Sequence, residues 1–276
     1  MGRVLVVGDI HGAHLALQQV LDRSRFDKEN DILITLGDIA DGWPYVKECV
    51  DILLPLKRID IIGNHDEWFK EWLTRGVHPQ YWMQGGEGTA KSYLRVTDSE
   101  HLFIRNTWER GFTTSLNPGD IDVDHWKFFM HQNLYYHDTE RNYFFCHAGW
   151  DRENLVSRVR EICPYEFYWD RELWQKAMSA GPDVKLKTAD NFDCVFIGHT
   201  ATTNWSAREK ATKHGIIIPQ GGKIDWPLYM GGIWNLDTGA GWSGRLTIMD
   251  VDTKQYWQSD QVEHLYPDET VRRTRT

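Results

Sequence analysis

Three polar residues in a row, Asn64-His65-Asp66, follow the apolar run Ile59 to Ile62 and the turn residue Gly63. Asn64 offers a neutral oxygen to a cation, His65 titrates near neutral pH, and Asp66 can hold His65 in one tautomer. A polar turn that caps the next helix would explain one such residue, not three. Four more apolar runs end in comparable groups: Asp9 and His11 in Gly8-Asp9-Ile10-His11-Gly12, Asp38 after Gly37, His147 before Ala148-Gly149, and His199 between Gly198 and Thr200. Singly, each could be an ordinary loop residue. Five run ends that all carry potential ligands form a pattern, because parallel strands bring their carboxyl ends to one edge of a sheet, where open α/β folds bind ligands.

Two Asp, one Asn and three His make an oxygen and imidazole donor set. Without thiolate it argues against a structural zinc site, and it suits manganese, iron or zinc better than calcium or magnesium alone. Six donors exceed the needs of one catalytic metal with an open position. They suit two divalent metal ions ~3.5–4 Å apart that share one carboxylate. Water between two cations becomes hydroxide at neutral pH and can attack phosphorus in line. His65 is placed to give the departing alkoxide a proton. The expected chemistry is phosphoester hydrolysis with manganese, or with iron or zinc, as the metal.

The elements that must position these residues read as an α/β chain. Arg3 to Val7, Asp31 to Leu36 and Ile59 to Ile62 are strand-like runs. Ala13 to Leu21, Tyr45 to Leu56 and a segment from about Glu67 to Leu73 read as the helices between and after them. The βαβαβ order predicts parallel strands with right-handed crossovers. Farther on, Trp82 to Gly86 reads as a loop, and Asp120 to Asn133 as a helix with Val123, Trp126, Phe129 and Met130 on its apolar face. Asn142 to Cys146, Asp193 to Ile197, Ile233 to Leu236 and Arg245 to Val251 read as later strands. Trp205 to Gly232 fits no element and, by position alone, could wall the site. Residues 1–266 are expected to form one domain and 267–276 a flexible tail.

Composition bounds the partners. The 276 residues can bury a core without disulfide help. A net charge of −9 argues against broad binding to nucleic-acid backbones, although bound cations could still draw an anionic substrate. No apolar stretch reaches the ~20 residues of a membrane span. Four scattered cysteines without CxxC spacing point to a reducing cytoplasm, with Cys146 and Cys194 as buried thiols. Fourteen tryptophans are chiefly core and loop packing, with some open to lining a pocket for a base.

Taken together, these motifs resemble the calcineurin-like metallophosphoesterases, and their order resembles the phosphoprotein phosphatase branch with its bacterial and bacteriophage lambda type enzymes. Gly8 to Gly12, Gly63 to Asp66, His147 to Gly149 and Gly198 to Thr200 carry the resemblance. So do Gly85-Gly86-Glu87-Gly88-Thr89-Ala90-Lys91-Ser92-Tyr93 and Asp237-Thr238-Gly239-Ala240. The resemblance implies a four-layer α/β/β/α sandwich with the dimetal site at the carboxyl ends of the strands. It also implies that Asp9 and His11 hold one metal, Asp38 bridges, and Asn64, His147 and His199 hold the other. His65 becomes the general acid with Asp66 as its partner, and Arg171 grips substrate phosphate oxygens. One signature departs. The branch reads Gly-Asp-x-x-Asp-Arg-Gly where this chain has Gly37-Asp38-Ile39-Ala40-Asp41-Gly42-Trp43, so Gly42 replaces a phosphate-binding arginine. The expected activity is a phosphomonoesterase of the serine/threonine protein phosphatase type, acting on a phosphoprotein or a small phosphoester. The alternative is a nucleotide phosphodiesterase or dinucleoside polyphosphate hydrolase, with Trp43 as a platform beside Gly42. A non-catalytic phosphate-binding protein is a third reading, which the His65-Asp66 pair disfavours.

Overall fold

The computed structural model describes residues 2–94, 103–106, 111–207, 211–213, 216–218 and 220–269. Its strands, in chain order, are β1 (Val4–Val7), β2 (Ile32–Thr35), β3 (Arg58–Asp60), β4 (Phe103–Asn106), β5 (Gly111–Thr114), β6 (Tyr135–Asp138) and β7 (Tyr143–Cys146). After these come β8 (Cys194–Ile197), β9 (Ala211–Lys213), β10 (Ile216–Ile218), β11 (Leu228–Met230), β12 (Ile233–Asn235), β13 (Thr247–Asp250) and β14 (Tyr256–Gln258). The α-helices are α1 (His14–Ser24), α2 (Val46–Leu53), α3 (Asn64–Arg75), α4 (Gly86–Leu94), α5 (Val123–Met130), α6 (Val156–Ile162), α7 (Glu166–Trp169), α8 (Glu172–Ala180) and α9 (Val262–Leu265).

Ten strands form two mixed sheets, ordered β14-β13-β1-β2-β3 and β11-β12-β8-β7-β6. Each has a parallel trio, β1-β2-β3 in one and β12-β8-β7 in the other, with antiparallel strands beside it. The inner strands of the trios, such as β1 and β8, are buried on both faces, so their sequences run apolar rather than alternating, whereas β3 at the sheet edge, Arg58-Ile59-Asp60, is half-buried. Side-chain alternation then sorts each strand between two cores. Leu5 and Val7 face α1 and α2, while Val6 faces the other sheet. On β7, Phe144 and Cys146 pack outward and Phe145 inward; on β8, Val195 and Ile197 pack outward and Phe196 inward. Phe145 and Phe196 stack with centroids 4.8 Å apart between the sheets, and each such buried side chain contributes roughly 1.5–3 kcal/mol. The three apolar clusters are the three interfaces of a four-layer α/β/β/α sandwich, as expected.

Several local expectations are corrected. Helix α3 begins at Asn64 rather than near Glu67, with Gly63 as its N-cap. Trp82 to Gly86 is no plain loop: Gln80–Gln84 is a 3-10 turn, and the glycine-rich segment after it folds as α4. On α5 the buried face is His125, Phe128 and Phe129, whereas Val123 and Trp126 are exposed. Asp170 and Arg171 separate α7 from α8. Within 205–232, Trp205, Ile224, Trp226 and Leu228 pack on the outer face of the second sheet. Of the expected tail, residues 270–276 lie outside the described part, and Tyr45 Oη donates to Glu269 at 3.0 Å. Among the described residues, no helix is long and apolar enough to cross a membrane.

Candidate dimetal site

The parallel trios end side by side, and their following loops supply all six expected ligands. Asp9 and His11 follow β1, Asp38 follows β2, and Asn64 opens α3 after β3. His147 and His199 come from the other sheet, after β7 and β8. All six are buried. Two groups of donor atoms lie within 4.8 Å of one another: Asp9, Asp38 and His147, and His11, Asp38 and His65. Asp38 belongs to both, with Oδ2 at 3.5 Å from His11 Nε2 and 3.4 Å from His147 Nε2. On the far side, Asn64 Oδ1 lies 3.3 Å from His147 Nε2 and 2.9 Å from His199 Nδ1. Backbone carbonyls orient the imidazoles from behind: His147 Nδ1 donates to Leu36 O at 2.7 Å, which leaves Nε2 as the metal-facing atom.

The local backbone is strained to make this geometry. His11, Asp38, Asp41 and His199 all take positive φ, between 50° and 67°, a region that costs side-chain-bearing residues energy and that concentrates at functional sites. Gly63 is needed for another reason. A Cβ there would lie 2.1 Å from Asp38 Oδ1, so no larger residue lets α3 start this close to the shared carboxylate.

The charges fit cations. Asp9, Asp38, Asp41, Asp66 and Asp237 are buried together, while no Lys or Arg is buried among the described residues. Uncompensated carboxylates so placed are costly. Burial, with Asp237 and Asp38 as like charges, pushes the Asp9 carboxyl well above its usual range. Burial, opposed by Gly239 N–H and aided by Asp38, lifts Asp237 to about 6. His147 shows the opposite response: burial alone would lower it, but Asp38 and Asp9 raise it to about 10. Asp38 is held well below its usual range, because His147 and the other imidazoles outweigh its burial. The carboxylates thus favour positive charge at this spot, which a bound metal would supply.

His65 sits beside the cluster, its ring 4.8 Å from that of His11. Its backbone N–H donates to Asp38 Oδ1 at 2.9 Å. The expected partner of its side chain, Asp66, is corrected. His65 Nδ1 bonds Asp41 Oδ2 at 2.8 Å. Asp66 instead accepts from the backbone N–H groups of Ile39, Ala40 and Gly63 and from Gln132 Nε2. At the start of a helix its carboxylate satisfies orphan amides and ties the Asp38 loop to α3.

Asp41 is the residue that the sequence reading passed over. Trp82 Nε1 and Thr89 Oγ1 donate to its Oδ1 at 2.9 and 2.7 Å, and its own N–H donates to Thr89 Oγ1. The glycine-rich motif of α4 therefore has a structural task, which is to hold the Asp41 loop. Gly42 N–H donates to Gly85 O, and Gly88 packs on Gly42 O so closely that a Cβ would lie at 2.1 Å. Gly42 itself has φ +96°, and a Cβ would lie 2.9 Å from His11 O, so an arginine does not fit this loop without strain. Trp43 is not a platform either. It is buried, stacks on Tyr266 and donates Nε1–H to Ala240 O. Arg171 stands at the rim, with Nη1 3.0 Å from Thr200 Oγ1, next to His199 in the chain.

The profile that matches residues 2–202 is that of calcineurin-like phosphoesterases, covering well over half the chain. The chain belongs to this family. It is accordingly a hydrolase of phosphoesters, and the family implies divalent metal ions at the carboxylate and imidazole cluster. Over 295 residues, it is 23% identical to a symmetrical bis(5'-nucleosyl)-tetraphosphatase of Haemophilus ducreyi, covering 94% of this chain and 98% of that one. It is 31% identical to serine/threonine-protein phosphatase 1 of Salmonella typhimurium over 102 residues, covering 37% of this chain and only 47% of that protein. A solved candidate diadenosine tetraphosphatase has the same fold, with a TM-score of 0.53, 16% identity and coverage of 93% and 92%.

Proposed function

We propose that this phosphoesterase is a two-metal hydrolase of dinucleoside polyphosphates. The observation that carries the mechanism is Asp38, the one carboxylate shared by both donor groups, with His65 set beside it by Asp41. Bound divalent cations would polarise phosphoryl oxygens and acidify a water. Asp9, Asp38 and His11 would hold one, and Asn64, His147 and His199 with Asp38 the other, manganese being the metal we favour. Asp41 accepts from His65 Nδ1 and so orients the ring; as the imidazolium, its Nε2–H would give the proton to the leaving oxygen as that oxygen's bond to phosphorus breaks. Arg171 would hold the phosphate chain from the rim.

Two points support the nucleotide substrate over the monoester that the motif order suggests. A relative matched over nearly its whole length is a bis(5'-nucleosyl)-tetraphosphatase, whereas the serine/threonine phosphatase match spans less than half of that enzyme. Gly42 stands where the phosphatase signature has a phosphate-binding arginine, so this chain lacks that clamp of the monoester enzymes. The test is a comparison of kcat/KM for diadenosine tetraphosphate, a phosphoserine peptide and glycerol 2-phosphate, with Mn²⁺ present. The expected result is a preference for the dinucleotide of at least tenfold. A preference for the phosphopeptide would restore the phosphatase reading.

A further inference from the structure

The leaving group in an in-line displacement departs on the side of the proton donor, and an aromatic wall stands on that side here. Trp68 lies one turn after His65 on α3, and its ring is 4.4 Å from the imidazole. Tyr81 stacks on Trp68 at 6.0 Å and 21°. Trp169, at the end of α7, lies 5.5 Å from Trp68, 6.3 Å from Tyr81 and 5.9 Å from His199. The wall therefore runs from the proton donor to the farther metal ligand. Trp68 is buried behind it, but Tyr81 is 55% exposed. Trp169 is half-buried and also lines an open cavity of about 420 Å³ together with Arg171, so its indole is reachable from solvent. Every nucleobase has a π-face to place on such rings.

Resting on the function proposed above, we infer that Tyr81 and Trp169, backed by Trp68, form the stacking platform for a nucleobase of the leaving nucleotide. The phosphates would lie over the cations and Arg171, and the base beyond His65. This makes the wall a specificity determinant that favours nucleotides over alkyl phosphates of equal charge.

The test uses the full chain with Mn²⁺ and the variants Tyr81→Ala, Trp169→Ala and Tyr81→Phe. The readout is the ratio of kcat/KM for diadenosine tetraphosphate to kcat/KM for glycerol 2-phosphate, which has no ring. Each alanine variant should lower that ratio roughly ten- to a hundredfold, chiefly through KM for the dinucleotide, and Tyr81→Phe should keep it. Equal losses on both substrates would mean a structural role and overturn the inference. A larger loss on a phosphotyrosine peptide than on the dinucleotide would also overturn it, in favour of an aryl ester. If the wild type turns over glycerol 2-phosphate but no nucleotide, the proposed function fails and the platform with it. If the wild type cleaves the dinucleotide and the ratio does not move in the variants, the platform alone fails.

Discussion

The floor of the site and its rim are built differently. The floor is buried, strained and held from behind: Asp38, Asp41 and His199 take positive φ, and Asp41 is gripped by Trp82 and Thr89. The rim, with Tyr81, Trp169 and Arg171, lies on short helical turns and their junctions, and is partly or wholly exposed. A reaction that needs donors fixed to fractions of an ångström requires the first kind of construction. Choosing among substrates that share a phosphate needs only the second. Changes to the floor should therefore abolish turnover of every ester, whereas changes to the rim should reorder substrates.

The largest expected effect falls on the floor. His65→Asn should lower turnover of a poor-leaving-group ester roughly 10²–10⁴-fold. Asn64→Ala should lower it at least as far, because it removes a donor to the metal. Rate measurements on glycerol 2-phosphate, with thermal melts to verify folding, check both. Full activity in either variant would break the distinction between floor and rim.

A smaller effect separates the two carboxylates near His65. Asp41→Asn should lower turnover about 10- to 100-fold, the usual cost of losing the group that orients a functional imidazole. Its melting temperature should change less than that of Asp66→Asn. Asp66→Asn takes charge from three backbone N–H bonds and should cost roughly 2 kcal/mol or more, seen as a lower melting temperature with most turnover kept. The reverse pattern in melts and rates would return Asp66 to the role of His65's partner.

That exchange shows what the sequence could and could not disclose. The six residues that the structure brings together were legible because each follows an apolar run, and the βαβαβ order places those run ends on one edge. The partner of His65 was not, since adjacency in the chain favoured Asp66. Position 66 falls in the first turn of α3, whose unpaired amides claim its carboxylate. The available signal was Asp41 itself, three residues after Asp38 and matching the second Asp of the signature. Helix α4 was hidden by Gly85, Gly86 and Gly88, which read as turn residues; Gly88 serves close approach to the Asp41 loop. Trp43 looked like a surface platform because nothing local shows that Tyr266, more than two hundred residues away, covers it.

The central claim is that two cations share Asp38. Titrating the metal-stripped protein with Mn²⁺, while following bound metal and hydrolysis together, tests it most directly. The account predicts two equivalents per chain, with turnover rising as the second site fills, and loss of both sites in Asp38→Ala. Full activity at one equivalent, or in the metal-stripped protein, would contradict it.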